Sequence, residues 1–127
     1  MKRALLPPLL VLAVLTAFSL WNIHRMATET DRWRSQLQAA DVLARSGAWA
    51  ETIDALWESY DDWSHSQTYL HIVSQHNVVD DAEAMYRRAI AFAETEEITE
   101  LRAELSDLRD QLRLLSEMEA LSIRNIL

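Results

Sequence analysis

Apolar residues recur at alternating intervals of three and four positions in four segments of this chain. This spacing places them on one face of an α-helix. The stretch from Trp49 to Leu70 illustrates it with Trp49, Ile53, Leu56, Tyr60, Trp63 and Leu70. Because Gly occurs once and Pro only twice, few positions favour tight turns, and the chain is predicted to consist of long helices.

The predicted fold class is therefore all-α, with about four helices in a small antiparallel bundle that cross at about 20°. Turns of a few residues would make consecutive helices neighbours. The other apolar faces comprise Met26, Trp33, Leu37, Ala40 and Ala44; Val78, Ala82, Met85, Ala89 and Phe92; and Ile98, Leu101, Leu105, Leu108, Leu112 and Leu115.

Few residues mark the predicted helix ends. Gly47, the single glycine, is placed to adopt the left-handed conformation that ends a helix. The second helix is expected to run to about Ser74, with Asn77 capping the third and Thr95 capping the fourth. The alternative for the last two helices is one rod of about 40 residues, roughly 60 Å long. We favour the break because a single rod would leave its second half without a partner helix from this chain.

Residues 4–23 carry no charge. A helix that starts near Pro7 and ends at Ile23 would be roughly 25 Å long, which is at the short end of a membrane span. Trp21 suits a membrane interface, and the basic residues Lys2 and Arg3 precede the apolar run.

We interpret residues 1–23 as an uncleaved membrane anchor, with the N-terminus in the cytoplasm and residues 24–120 forming a bundle outside the cell membrane. The open alternative is a cleaved signal peptide, for which Ala17 and Ser19 would make a poor cleavage site. We favour the anchor because the helix continues past residue 24 without a breaker. Residues 121–127 are expected to form an apolar tail that folds back over the bundle or docks on a partner.

The formal charge of the chain is −8, and Lys2 and Arg3 both precede the predicted bundle. The bundle is therefore more acidic than the whole chain, which argues against nucleic-acid binding because phosphate groups would be repelled. The absence of cysteine excludes disulfides and thiolate metal sites.

The second helix has a face that core formation does not require. Acids and a histidine repeat there with the helical 3-4 spacing, and no Lys or Arg occurs between Arg45 and Arg87. Trp57 lies at the edge of the apolar face. Partner contacts are therefore expected at Glu51, Asp54, Trp57, Glu58, Asp61 and His65, and in the tail at Asn125, Ile126 and Leu127.

Metal binding and catalysis are weighed against this expectation and set aside. Asp61, Asp62 and His65, or His71, His76 and Asp80, lack the spacing of a known ligand loop. Ser64, His65, Ser66 and Asp62 are neighbours on one helix and so point in different directions. We expect no enzyme activity, cofactor, metal site or catalytic residue.

The chain resembles a family of small membrane proteins from spore-forming Firmicutes, the domain of unknown function 4363. The resemblance rests on the N-terminal apolar segment, on Trp49 and Trp63 after the first turn, on His76 with Val79, Asp80 and Glu83, and on the ending Leu121-Ser122…Asn125-Ile126-Leu127. It implies the same architecture and association with another membrane protein, but no activity.

From these observations we expect a non-enzymatic, single-span membrane protein that serves as an accessory or scaffold subunit for another membrane or envelope protein. The alternative is an extracytoplasmic sensor that binds a cation or small ligand on the acidic and histidine face of the second helix. Self-association into a homo-oligomer also stays open.

Overall fold

This computed structural model describes residues 2–66 and 76–126, with side chains described for 4–66, 78–118, 120 and 121. Four helices make up this part of the chain: α1 (Lys2–Arg45), α2 (Trp49–His65), α3 (His76–Glu94) and α4 (Ile98–Ile126). No strand occurs within these ranges. The predicted all-α class is confirmed.

The helices form an antiparallel ring in which each one packs against two others: α1 on α2, α2 on α3, α3 on α4 and α4 on α1. Contacts between neighbours show the directions, since residue numbers rise on one helix as they fall on the next. The contacting pairs include Arg32–Asp62, Ser59–Tyr86, Tyr60–Glu83, Arg88–Glu104 and Asp41–Arg102.

The first turn confirms the role predicted for Gly47. Its φ is +78°, and its N–H donates to the carbonyl oxygen of Ala44 at 3.0 Å. The N–H of Ala48 donates to the carbonyl oxygen of Leu43 at 3.0 Å. This pair of hydrogen bonds is the Schellman arrangement, which satisfies carbonyl groups that the end of a helix leaves without partners.

The turn between α3 and α4 confirms the predicted break, but Thr95 was assigned to the wrong helix. Its hydroxyl lies 3.2 Å from the carbonyl oxygen of Ala91, so it belongs to the end of α3. Glu96 adopts a φ of +56°, and the N–H of Glu97 donates to the carbonyl oxygen of Phe92 at 2.9 Å. The chain therefore repeats the Schellman turn with a glutamate in the position that Gly47 fills in the first.

Two other predicted helix ends were wrong. The second helix ends at His65, well before Ser74, because the N–H of Ser66 donates to the carbonyl oxygen of Trp63 in a tighter last turn, at 3.0 Å. Asn77 lies inside α3, which already includes His76, so it does not cap that helix. Residues 67–75 lie outside the described residues.

The buried face of α2 is rotated from the predicted one. The buried residues are Thr52, Leu56, Ser59 and Trp63, whereas Tyr60 is only half-buried. The two hydroxyl groups can enter the core because both are hydrogen-bonded, Thr52 to the Ala48 carbonyl oxygen and Ser59 to the Tyr86 hydroxyl. Trp49 and Ile53 are also half-buried, beside the core.

The other core faces agree better with the expectation. All five predicted residues of α1 are buried, as are the five predicted leucines of α4, but Ile98 is exposed. In α3 the residues Tyr86 and Val79 are fully buried, and the predicted Met85 and Phe92 only line the core. Tyr86 can be buried because its hydroxyl is hydrogen-bonded to that of Ser59 at 2.9 Å.

The N-terminal apolar residues belong to α1, the same helix whose C-terminal part packs in the bundle. α1 continues from Lys2 to Arg45, and its leucines and valines before residue 16 are exposed. This helix is long and apolar enough to cross a membrane. At the other end of the chain, the backbone of residues 121–126 continues α4, so these residues extend that helix rather than fold back over the bundle.

Candidate interaction surface on α2

Five polar residues of α2 form one solvent-exposed row, which we call the acidic face: Glu51, Asp54, Glu58, Asp61 and His65. Their 3-4 spacing turns them to the side of the helix opposite Leu56 and Trp63. None of the four carboxylates forms an ion pair or hydrogen bond with another described residue. The acidic face thus presents to solvent four carboxylates that have no ion-pair partner among the described residues.

Asp62 is adjacent to this face but has the opposite environment. Its Oδ2 accepts from Arg32 Nε at 2.7 Å and its Oδ1 from Arg32 Nη2 at 2.8 Å, in a two-pronged ion pair between α1 and α2. Gln36 donates to the same carboxylate at 3.0 Å. The hydrogen bonds from Arg32 lower the pKa of Asp62, and in return they raise the pKa of Arg32.

Trp57 adjoins the acidic face on the side nearer α3. Its side chain is 45% exposed, as expected from its position at the edge of the apolar stripe. The ring packs edge-on against Tyr60 with 5.8 Å between centroids, and Tyr60 in turn packs edge-on against the buried Tyr86 at 5.7 Å. An aromatic array anchored in the core therefore supports the exposed indole.

Two charged residues of α3 border this aromatic array. The Tyr60 hydroxyl donates to Glu83 Oε1 at 3.1 Å, and Arg87 Nη2 donates to the same oxygen at 3.1 Å. The Glu83–Arg87 pair is local to α3 because the two residues are four positions apart, whereas its contact with Tyr60 depends on how α2 and α3 pack.

Four residues at the end of α2 are of the types found in catalytic triads, but their side chains have separate hydrogen-bond partners. Ser64 donates to the carbonyl oxygen of Asp61, which also contacts the His65 ring. Ser66 donates to Glu29 at 3.4 Å, and Asp62 binds Arg32. The structure does not bring these groups together around a shared reaction centre.

No three His, Asp or Glu side chains come close enough to hold a metal ion within the part of the chain that the structure describes. His71 lies outside the described residues, and the side chain of His76 is not described. The sensor alternative stays a prediction without geometric support.

The tail residues predicted as contacts fall largely outside the described structure. The backbone of Asn125 and Ile126 is helical and belongs to α4, but their side chains are not described. Leu127 lies beyond the last described residue. Their part in partner binding stays a prediction.

Comparison with known proteins places this architecture in a family. The family model of the domain of unknown function DUF4363 matches residues 20–126, which is most of the chain and includes the whole bundle. No curated protein and no solved structure matches the chain. Since the match spans far more than half of the sequence, the chain belongs to the DUF4363 family.

Proposed function

We propose that this protein is a non-enzymatic, single-span membrane protein that serves as an accessory or scaffold subunit for another membrane or envelope protein. Its N-terminus would lie in the cytoplasm and its bundle outside the cell membrane. In keeping with the Firmicutes proteins that the sequence resembles, we also propose a bacterial origin.

The proposed anchor is supported by the continuity of α1. Residues 4–23 carry no charge and extend without a break into the part of α1 that packs in the bundle. From Ile23 to Arg45 the helix rises about 33 Å at 1.5 Å per residue. A bilayer around the apolar residues would therefore hold the bundle at a defined height above the membrane.

The height of the acidic face limits which partner can reach it. α2 runs antiparallel to α1, so His65 lies at the level of α1 near Thr30 and Glu51 at the level of Ala44. The acidic face would thus extend from about 10 to about 30 Å beyond Ile23. A partner must project a basic surface to that height, which fits a membrane protein with an external domain or an envelope protein.

The observation that carries the proposal is the exposed Trp57 beside the unpaired carboxylates of the acidic face. Partly exposed tryptophans on rigid supports are frequent energetic centres of protein interfaces. Surrounding carboxylates accelerate and orient binding to a basic partner. Both features occur on one helix, and the aromatic array holds Trp57 in place.

Photocrosslinking in native membranes tests the proposal. Ala50 is exposed on α2 one turn from Asp54, so a photoreactive amino acid there would leave Trp57 and the acids intact. We expect a crosslink to a defined membrane or envelope protein at native expression. A triple change of Asp54, Glu58 and Asp61 to Lys should abolish it.

A matched position and a matched substitution serve as controls. A photoreactive residue at the exposed Ala103 of α4 should not give the same adduct, and Asp107→Lys on α4 should leave the Ala50 crosslink intact. Recovery of the chain only as a lone monomer in mild detergent, or identical crosslinks from both positions, would contradict the proposal.

A further inference from the structure

Two arginines on the side of the bundle formed by α1 and α4 differ from the other described arginines in their lack of an ion pair. Seven of the nine arginines whose side chains the structure describes form ion pairs with carboxylates: Arg25, Arg32, Arg45, Arg87, Arg88, Arg102 and Arg113. Arg34 and Arg109 form none with the described residues. In a chain with a formal charge of −8, acids are in excess, so a shortage of carboxylates does not explain this.

The two arginines face each other across the contact between α1 and α4. Asp41 pairs with Arg102 at 3.1 Å on the same contact. Arg34 precedes Asp41 by two helical turns, and Arg109 follows Arg102 by two turns, so antiparallel packing brings them to the same level. Both line one open groove of about 480 Å³.

The Nε atoms of Arg34 and Arg109 are shielded from solvent, and neither finds a hydrogen-bond acceptor among the described residues. A buried donor attached to a charged group is costly to leave without a partner. Ser35 and Gln38 add a hydroxyl and an amide to the lining. The groove thus offers a surplus of hydrogen-bond donors and two positive charges, with Asp31 as the only acid among the described residues that line it.

We propose that this groove binds a small oxyanion, a phosphate or carboxylate group, between Arg34 and Arg109. Arginine forks match the paired oxygen atoms of such groups. The volume lies within the range of about 300–1,000 Å³ that is usual for ligand sites. The site is separate from the acidic face, so it goes beyond the proposed function.

The oxyanion comes from the aqueous phase rather than from a lipid headgroup. Arg34 follows Ile23 by eleven residues, which is about 16 Å along α1. Headgroups extend only about 5–8 Å beyond the hydrocarbon region on each side of a bilayer. With the apolar segment of α1 in a membrane, the groove therefore lies above the headgroups.

The test follows the Nε–H cross-peaks of Arg34 and Arg109 by ¹⁵N NMR, with the full chain in zwitterionic detergent micelles. Inorganic phosphate is added at constant ionic strength, balanced with chloride. We expect both cross-peaks to shift saturably. Arg34→Gln and Arg109→Gln should each lower the affinity about tenfold or more, because each removes charged hydrogen bonds.

Two further variants separate this site from general charge effects. Asp31→Asn removes the one acid of the groove and should raise the phosphate affinity severalfold. Arg113→Gln removes the same charge one turn from Arg109, outside the groove, and should leave the affinity unchanged. Circular dichroism establishes that each variant is folded, and Asp31→Asn remains decisive if the glutamine variants do not fold.

The absence of a saturable shift in the natural chain, or equal affinity in Arg34→Gln, would overturn the proposal. So would an Asp31→Asn variant that binds phosphate no better than the natural chain. A shift that appears only in nanodiscs with anionic lipid, and not with free phosphate, would overturn the aqueous source.

Discussion

Glu96 is the one non-glycine residue with a positive φ in the described part of the chain. A side chain in the left-handed region costs about 1 kcal/mol relative to glycine. The turn tolerates this strain because the hydrogen bonds from Glu96 and Glu97 close the end of α3. The same geometry in the first turn uses Gly47, which allows a direct comparison between the two positions.

Replacement of Glu96 by Gly should stabilise the bundle by about 0.5–1 kcal/mol, because it relieves the left-handed strain. The measurement is the thermal or denaturant unfolding of the full chain in detergent, followed by helical circular dichroism. Gly47→Ala is the reverse experiment. Since a Cβ there would meet no atom within 4 Å, it should destabilise the bundle by about 1 kcal/mol through strain alone.

The helical control is Glu94→Gly at the last position of α3. It adds the same flexibility where φ is not positive, and it should destabilise the bundle slightly. Equal effects of glycine at positions 94 and 96 would show that the conformation of Glu96 carries no strain.

At the scale of the helices, Arg32 and Asp62 join α1 to α2 by a hydrogen-bonded ion pair. The side chain of Asp62 is 31% exposed, so its charge is only partly screened by water. Because Arg32 lowers the pKa of folded Asp62 below the usual 3.8, the pair stabilises the fold fully above that value. The stabilisation is lost as the pH falls through the folded pKa.

We therefore expect Asp62→Asn to cost about 1 kcal/mol of unfolding free energy near neutral pH, at the upper end for a partly exposed pair. The difference from the natural chain should shrink as the pH falls below about 3.8. Asp110→Asn is the control, since Asp110 is 62% exposed and lies 3.7 Å from Arg113. A pH-independent difference for Asp62→Asn would contradict the linkage.

The buried face of α4 follows from residue spacing alone, whereas that of α2 does not, and the difference has a physical reason. The leucines of α4 are large and purely apolar, so their spacing alone identified the buried face. In α2 the predicted buried face was rotated toward α3 relative to the observed one. The reason is that Thr52 and Ser59 were treated as polar and left out of it. Their hydroxyl groups become acceptable in the core only through hydrogen bonds to Ala48 and Tyr86, and the second of these bonds depends on tertiary packing.

At the scale of the whole molecule, α1 joins the apolar segment to the bundle without a hinge. A rigid connection of this kind would fix the orientation of the bundle relative to a membrane that contains the apolar part of α1. The absence of cysteine from the chain makes that orientation directly measurable, because single cysteines can be introduced on an unreactive background.

We expect Ala91→Cys, which is exposed on α3, to react with a membrane-impermeant maleimide in intact cells. A cysteine added directly after Met1 should react only after the membrane is permeabilised. The physical reason is that the apolar part of α1 would separate the two positions by a bilayer. The cytosolic control is a soluble cysteine-containing protein, which must stay unlabelled before permeabilisation.

The reverse labelling pattern would show that the topology is the opposite of the proposed one. Loss of the added cysteine from the mature protein would show that the N-terminal segment is cleaved as a signal peptide. Cleavage would remove the fixed height of the acidic face above the membrane, whereas an inverted topology would keep that height on the cytoplasmic side.

The sequence by itself determined the four helices of the described residues, the turn at Gly47, the break before Ile98 and the exposure of the acidic face. These follow from spacing and local backbone preferences, which depend on residues close together in the chain. The same spacing identified Trp57 as an exposed residue at the border of the apolar stripe.

Only the tertiary structure decided which charges are neutralised. Asp61 and Asp62 are adjacent, yet Asp62 binds Arg32 from α1 while Asp61 faces solvent. Arg34 and Arg109 are far apart in sequence, yet they line one groove. Ion pairs and donor clusters between helices depend on rotation and register, and these are set by the packing of large buried side chains such as Trp33, Trp63 and Tyr86.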